Sequence, residues 1–189
     1  PLKQINFCIG PEKSGGLRRI APKVRITCAG TILAREWIST PSNDKTPEQF
    51  TRSIVSKARK HGLKTRVLRQ KDLRQQGFGA LLAVAAGSQS KPSMVVLEHK
   101  PAGAKKTLAL VGKGVTFDSG GLNIKTGGAM SGMKADMSGA AVVAAAMISL
   151  AGITGIWFSF ARGLETLVTL EVPVEFMNRK PEMEIFAAS

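Results

Sequence analysis

The sequence predicts an α/β protein, a mixed β-sheet flanked by helices. Three observations point there. Short apolar strands alternate with helix-length amphipathic segments from residue 30 onward. Two of the strands, 94–98 and 107–111, are almost wholly apolar, as strands covered on both faces are. Finally, 189 residues at 43% hydrophobic and 21% charged can bury one core but are too few for two comfortable domains.

Taken in order, residues 1–29 form a basic N-terminal extension with scattered Pro and Gly. It lacks the continuous apolar core of a secretory signal and suits the remnant of an organellar targeting region. Ile32, Leu33, Trp37 and Ile38 then share one helical face, and that helix must stop before Pro41. Residues 41–47 are a loop. Thr46 can cap the next helix, Pro47 fits its first turn and Gln49 completes a capping box. This helix runs to about His61, where Gly62 ends it. A strand at 65–68, a helical turn at 71–76 and a small-residue helix at 79–86 follow. Strands 94–98 and 107–111 are separated by a Gly/Lys turn. Residues 137–161 hold no charge over 25 positions, long enough to cross a bilayer. Their Ala, Ser and Gly content, with Gly152 and Gly155 as a break, instead suggests a buried helix to about 150 and a buried strand at 153–160. A membrane partner is therefore not expected. The organisation is an extension at 1–29, an α/β domain at 30–161 and a divergent segment at 162–189.

Composition excludes several classes of function. With eight Phe, two Trp and no Tyr, base stacking is not the working principle. Cys8 and Cys28 alone cannot make a disulfide framework and favour a reduced, intracellular setting. His61 and His99 are too few to complete a zinc finger with them. Net charge is +14, which speaks to partners rather than to fold. Nine of the cations fall in 52–74: Arg52, Lys57, Arg59, Lys60, Lys64, Arg66, Arg69, Lys71 and Arg74, against one acid, Asp72. A solvated face normally mixes signs. One this acid-poor suits RNA or another polyanion, where neutralised phosphates release counterions.

The informative chemistry lies in Val111-Gly-Lys-Gly-Val-Thr-Phe-Asp-Ser-Gly-Gly121, Leu122-Asn-Ile-Lys125 and Met133-Lys-Ala-Asp-Met137. A strand opens into a glycine-rich turn that presents Lys113 and Asp118, and Lys125, Lys134 and Asp136 follow. This is no Walker loop, because the Gly-Lys-Ser/Thr pattern is missing. Two carboxylates and a lysine on adjoining loops could hold a hard or borderline cation. The plainer reading is a glycine turn with solvated charges, since Lys ligates only after losing its proton.

These motifs resemble the signature of the leucyl aminopeptidases, the M17 peptidases. Ala34-Arg-Glu-Trp-Ile-Ser-Thr-Pro-Ser-Asn-Asp-Lys-Thr-Pro47, Lys71-Asp-Leu and Gly77-Phe-Gly-Ala-Leu-Leu-Ala-Val84 are similar to the same family, so the resemblance covers about residues 30–150. It implies that Lys113 is a metal ligand, that Asp118 bridges two divalent cations and that Asp136 completes one site. It also implies that Lys125 polarises the scissile carbonyl and that Met133 lines the pocket for the first side chain of the substrate. The paired metals of such enzymes activate a water for attack on the amide.

The departures are equally specific. The family draws its remaining Asp and Glu ligands from a later Asn-Thr-Asp-Ala-Glu-Gly-Arg motif, which does not occur after Asp136. Ser138 also replaces the usual Gly. The expected chain is thus a truncated M17-type catalytic domain with an incomplete site, in which Lys125 is vestigial. It requires no cofactor, and any metal is one weakly held Zn or Mn. The leading expectation is a catalytically silent, basic structural subunit of a large RNA–protein assembly, such as an organellar ribosome, in a mitochondrial or other organellar matrix. A homo-hexamer is expected only if the family's assembly survives truncation. The alternative is a divalent-metal leucyl aminopeptidase whose remaining domain lies outside this chain.

Overall fold

The computed structural model describes residues 10–101, 104, 106–156 and 164–170. Thr46 and Gln49 form the capping box that their spacing requires. Thr46 N–H donates to Gln49 Oε1 at 2.8 Å and Gln49 N–H to Thr46 Oγ1 at 3.4 Å. The helix they start, α2 (Pro47–Lys60), buries Phe50, Ile54 and Ala58, the stripe of a 3.6-residue period. It is preceded by α1 (Pro11–Ser39), which stops two residues before Pro41. Gly62, at φ +77°, turns the chain into β1 (Lys64–Arg69). Two short helices follow, α3 (Gln70–Gln75) and α4 (Gly79–Val84), and then β2 (Ser93–His99) and β3 (Lys106–Val111). The glycine-rich turn leads to α5 (Ser138–Ile156) and β4 (Leu164–Leu170).

The strand order is β1-β2-β4-β3. β1 and β4 flank β2 antiparallel, and β3 lies parallel to β4, so the sheet is mixed as expected. Its faces are covered unequally. Val95 and Leu97 of β2 enter the main core with Trp37 of α1, Phe50 and Ile54 of α2, and Ala141, Ala144 and Met147 of α5. Met94 and Val96, alternating to the other face, meet Leu68, Leu73 and Leu81 from β1, α3 and α4. Each fully buried side chain of this size stabilises the fold by about 1.5–3 kcal/mol. Trp37 also donates its Nε1–H to Ser53 Oγ at 2.8 Å and meets the Phe50 ring edge-on at 5.8 Å, which locks α1 to α2.

Three expectations change. The extension expected at 1–29 is helical from Pro11, so the junction expected at residue 30 falls inside α1. Gly15, Gly16 and Pro22 hide this helix in the sequence, since a proline in a helix interior costs about 3 kcal/mol. Packing along α5 supplies the compensation: a Cβ at Gly30 would collide with Ser149 Oγ and lie 3.3 Å from Ala145 O. Next, α5 does not break at Gly152. That residue is a contact point, where a Cβ would sit 3.4 Å from Ile26 Cγ2, and the helix runs on to Ile156. The strand expected at 153–160 is therefore helix over 153–156, and 157–160 lie outside the described residues. Last, β4 comes from the segment expected to diverge, and it inserts between β2 and β3. Gly127–Ile153 is long and apolar enough to cross a membrane. Within that span Met137, Ala140, Ala141, Ala144, Ala145, Met147 and Ile148 belong to the main core.

Candidate metal centre

β3 ends at Val111, and the next residue sets the site. Gly112 is buried against the start of α5, where a Cβ would lie 2.6 Å from Gly139 C and 2.8 Å from Ala140 Cα, closer still to Gly139 O. A Cβ at Gly139 would in turn lie 2.8 Å from Lys113 N. Only a glycine pair permits this approach. The Ala140 N–H seals it by donating to Lys113 O at 2.7 Å. The strand end is thereby pressed against the entrance of α5, and Lys113 Nζ reaches Asp136 Oδ1 at 2.9 Å.

The second pair comes from the following turn. Asp118 Oδ1 accepts the Gly120 N–H at 2.8 Å, and Gly120 sits at φ +89°, a left-handed conformation. Lys125 N–H donates to Ser119 O at 2.9 Å, folding the segment back so that Lys125 Nζ lies 3.2 Å from Asp118 Oδ2. The Gly120 N–H is the main reason that the Asp118 carboxyl titrates below its ordinary value. Burial works against this, while Lys125 and the charge of Lys113 reinforce it.

Four residues singled out by sequence thus form one cluster of alternating charge: Asp136, Lys113, Asp118 and Lys125. Asp136 Oδ2 is buried and has no hydrogen-bond partner. An orphaned buried carboxylate oxygen is costly, and a cation is the natural group to satisfy it. Asp118, Asp136 and a neutral Lys113 amine make a donor set that fits one divalent cation. Among the described residues no three His, Cys, Asp or Glu side chains come together, and Asp118 and Asp136 are the carboxylates of this cluster.

Met133, half-buried, opens the 3-10 turn Met133–Ala135 ahead of Asp136. A cleft of about 970 Å³ opens beside the cluster between Asn43, Phe50, Thr116, Phe117 and Leu122. Asp118 reaches this cleft; Met133, Lys113, Lys125 and Asp136 do not line it.

Lys45 is a residue that sequence reasoning passed over as part of a loop. It is 2% exposed, and its Nζ donates to Trp37 O at 2.7 Å, Ile38 O at 3.3 Å and Lys134 O at 2.9 Å. Burial, and then the charge of Lys134, pull its pKa down. Nothing in its local sequence signals this, because all three acceptors are main-chain carbonyls.

The basic cluster is exposed at all nine positions, on α2, β1 and α3. Acids from outside the 52–74 segment pair with two of these cations. Glu48, one helical turn before Arg52, lies 3.5 Å from it. Glu98, opposite Lys64 in the β1–β2 register, lies 3.0 Å from that ammonium. Both pairs are solvent-exposed, where such contacts contribute about 0–1 kcal/mol.

Comparison with known proteins identifies the family of the chain. The profile of the cytosol aminopeptidase family, catalytic domain, matches residues 32–155. The probable cytosol aminopeptidase of Streptomyces avermitilis is 44% identical over 170 residues, 87% of this chain and 33% of that protein. The protein of the same description from Corynebacterium glutamicum is 45% identical over 129 residues, 68% of this chain and 26% of that one. Among solved structures, the bottromycin maturation enzyme BotP in complex with Mn superposes with a TM-score of 0.73 at 36% identity, covering 86% of this chain and 32% of BotP. Leucyl aminopeptidase from Leishmania major in complex with actinonin gives 0.73 at 28% identity, covering 78% and 28%. The chain spans about a third or less of the length of these relatives. Residues 32–155 hold the glycine turn, both lysine–aspartate pairs and most of the main core, and the chain belongs to the leucyl (cytosol) aminopeptidase family, M17.

Proposed function

We propose that this chain holds one divalent cation, manganese or zinc, through Lys113, Asp118 and Asp136, and that its 189 residues do not hydrolyse peptides unaided. The carrying observation is the buried, unpartnered Asp136 Oδ2 beside the Lys113–Asp136 and Lys125–Asp118 pairs. When bound, a cation here would polarise a carbonyl or lower the pKa of a water. Lys113 would give up its proton to ligate. Lys125, already beside Asp118, would stand ready to stabilise an oxyanion. The two-cation chemistry of the family needs further carboxylates, which the absent Asn-Thr-Asp-Ala-Glu-Gly-Arg motif would supply. Calorimetry with Mn²⁺ should show one weak site whose affinity rises with pH, lost in Asp136→Asn. Leucyl amides should stay intact with added Mn²⁺ or Zn²⁺. Two tight sites, or turnover that disappears in Lys125→Ala, would overturn the reading.

The exposed cations at 52–74 favour a second reading beside the first. On it, the protein is a basic structural subunit of an RNA–protein assembly in an organellar matrix, and the metal turn is retained for folding. Seven of the nine cations have no carboxylate within salt-bridge distance among the described residues, so an external polyanion suits them. The salt dependence of RNA binding tests this reading.

A further inference from the structure

Among the described residues Lys45 alone is a buried charged side chain. An ammonium has three donors and no acceptor, and burying it is costly unless every donor is used. Here the three donors meet three carbonyls on two separate elements. Trp37 O and Ile38 O lie in the last turn of α1, where carbonyls lack intrahelical partners and a cation is favoured by the helix dipole. Lys134 O belongs to the 3-10 turn that precedes Asp136.

We propose that Lys45 is a positioning residue for the metal centre: it clips the Met133–Ala135 turn to the end of α1 and thereby sets Asp136 beside Lys113. The inference rests on the reading of Asp136 as a ligand. Asp136 sits between two anchors. On one side the Lys134 carbonyl is held by Lys45, and the Asp136 N–H donates back to Met133 O at 3.2 Å. On the other side Met137 is fully buried in the main core. The Lys134 side chain is outside, so the backbone carbonyl is the part of that residue put to use. With Lys45 removed, only the Met137 side would remain fixed, and the 2.9 Å spacing of Lys113 and Asp136 would lose its second support.

Lys45→Met keeps the aliphatic stem and removes all three donors. Leu73→Ala is the control, since it opens a cavity in the small cluster on the other face of the sheet. Hydrogen exchange of the amides at 133–137 reads the clip with no metal present, and Mn²⁺ titration reads its consequence. Lys45→Met should speed exchange at Ala135 and Asp136 and weaken Mn²⁺ binding, each by tenfold or more. Leu73→Ala, at equal or larger loss of global stability, should change the Mn²⁺ affinity and the exchange of these amides relative to the rest of the chain by less than twofold. If Lys45→Met does not fold, Lys45→Gln, which retains two donors, should show both effects in smaller measure. Unchanged exchange at 133–137 would overturn the clip. Faster exchange with unchanged Mn²⁺ affinity would overturn its role in the centre. A parent protein that binds no Mn²⁺, with exchange still faster in Lys45→Met, would refute the metal reading and support the clip.

Discussion

Replacing Gly112 with Ala tests whether the strand-to-helix contact builds the site. The new Cβ would lie 2.6 Å from Gly139 C and 2.8 Å from Ala140 Cα. Carbon atoms prefer separations of about 3.5–4.0 Å, so the exit of β3 and the start of α5 must part by roughly 1 Å. Both obstacles are main chain and cannot rotate away, which places the overpacking cost at the upper end of about 1–3 kcal/mol. The same displacement stretches the 2.7 Å bond from Ala140 N–H to Lys113 O, worth about 1 kcal/mol more. The expected loss is about 3–4 kcal/mol, a large part of the stability of a typical domain. Urea denaturation followed by tryptophan fluorescence should show it as a midpoint lowered by about 1–3 M at unchanged slope. Mn²⁺ affinity should fall at least tenfold, because Lys113 and Asp136 move apart. Gly16→Ala serves as control: nothing lies within 4 Å of its Cβ, and a helix gains about 0.5–1 kcal/mol from the exchange. A loss under about 1 kcal/mol in Gly112→Ala, with Mn²⁺ affinity intact, would show that the contact between β3 and α5 does not build the site.

Thr46→Ala should cost about 1 kcal/mol through the lost cap of α2, read as a lower urea midpoint with the metal affinity unchanged. Asp118 has a folded pKa below its unfolded value, so its contribution is present above the unfolded pKa and lost as pH falls through the folded one. In acid titrations Asp118→Asn should therefore flatten the stability curve below about pH 4 and leave its shape near neutrality unchanged. Replacing Arg59, Lys60, Lys64 and Arg66 with Gln should weaken RNA binding and reduce the slope of log K against log salt by about 3. If that variant binds as tightly as the parent at every salt concentration, the basic face serves solubility alone.

Local chemistry was legible in the sequence wherever a few neighbouring residues decide the outcome. Thr46 and Gln49 make their capping box at a spacing of three, and α2 follows from Phe50, Ile54 and Ala58 on one stripe. The apolar run of β2 announced a strand covered on both faces. The motifs around Lys113, Asp118, Lys125 and Asp136 marked the family and the candidate ligands, because those residues lie within 24 positions of one another. What escaped the sequence depends on residues far apart along the chain. α1 reads as broken at Gly15, Gly16, Pro22 and Gly30, yet it is continuous, since it packs along α5, with Gly30 close against Ser149 and Ala145 and Ile26 in contact with Gly152. β4 lies between β2 and β3, an order that no local pattern encodes. The pairing of Lys113 with Asp136 needs Gly112 to touch Gly139, and the orphaned Asp136 Oδ2 exists only once the core has closed around it. Lys45 shows the difference most directly: its sequence neighbours read as a solvated loop, but its three acceptors come from residues 37, 38 and 134, and only the folded chain brings those carbonyls to one ammonium.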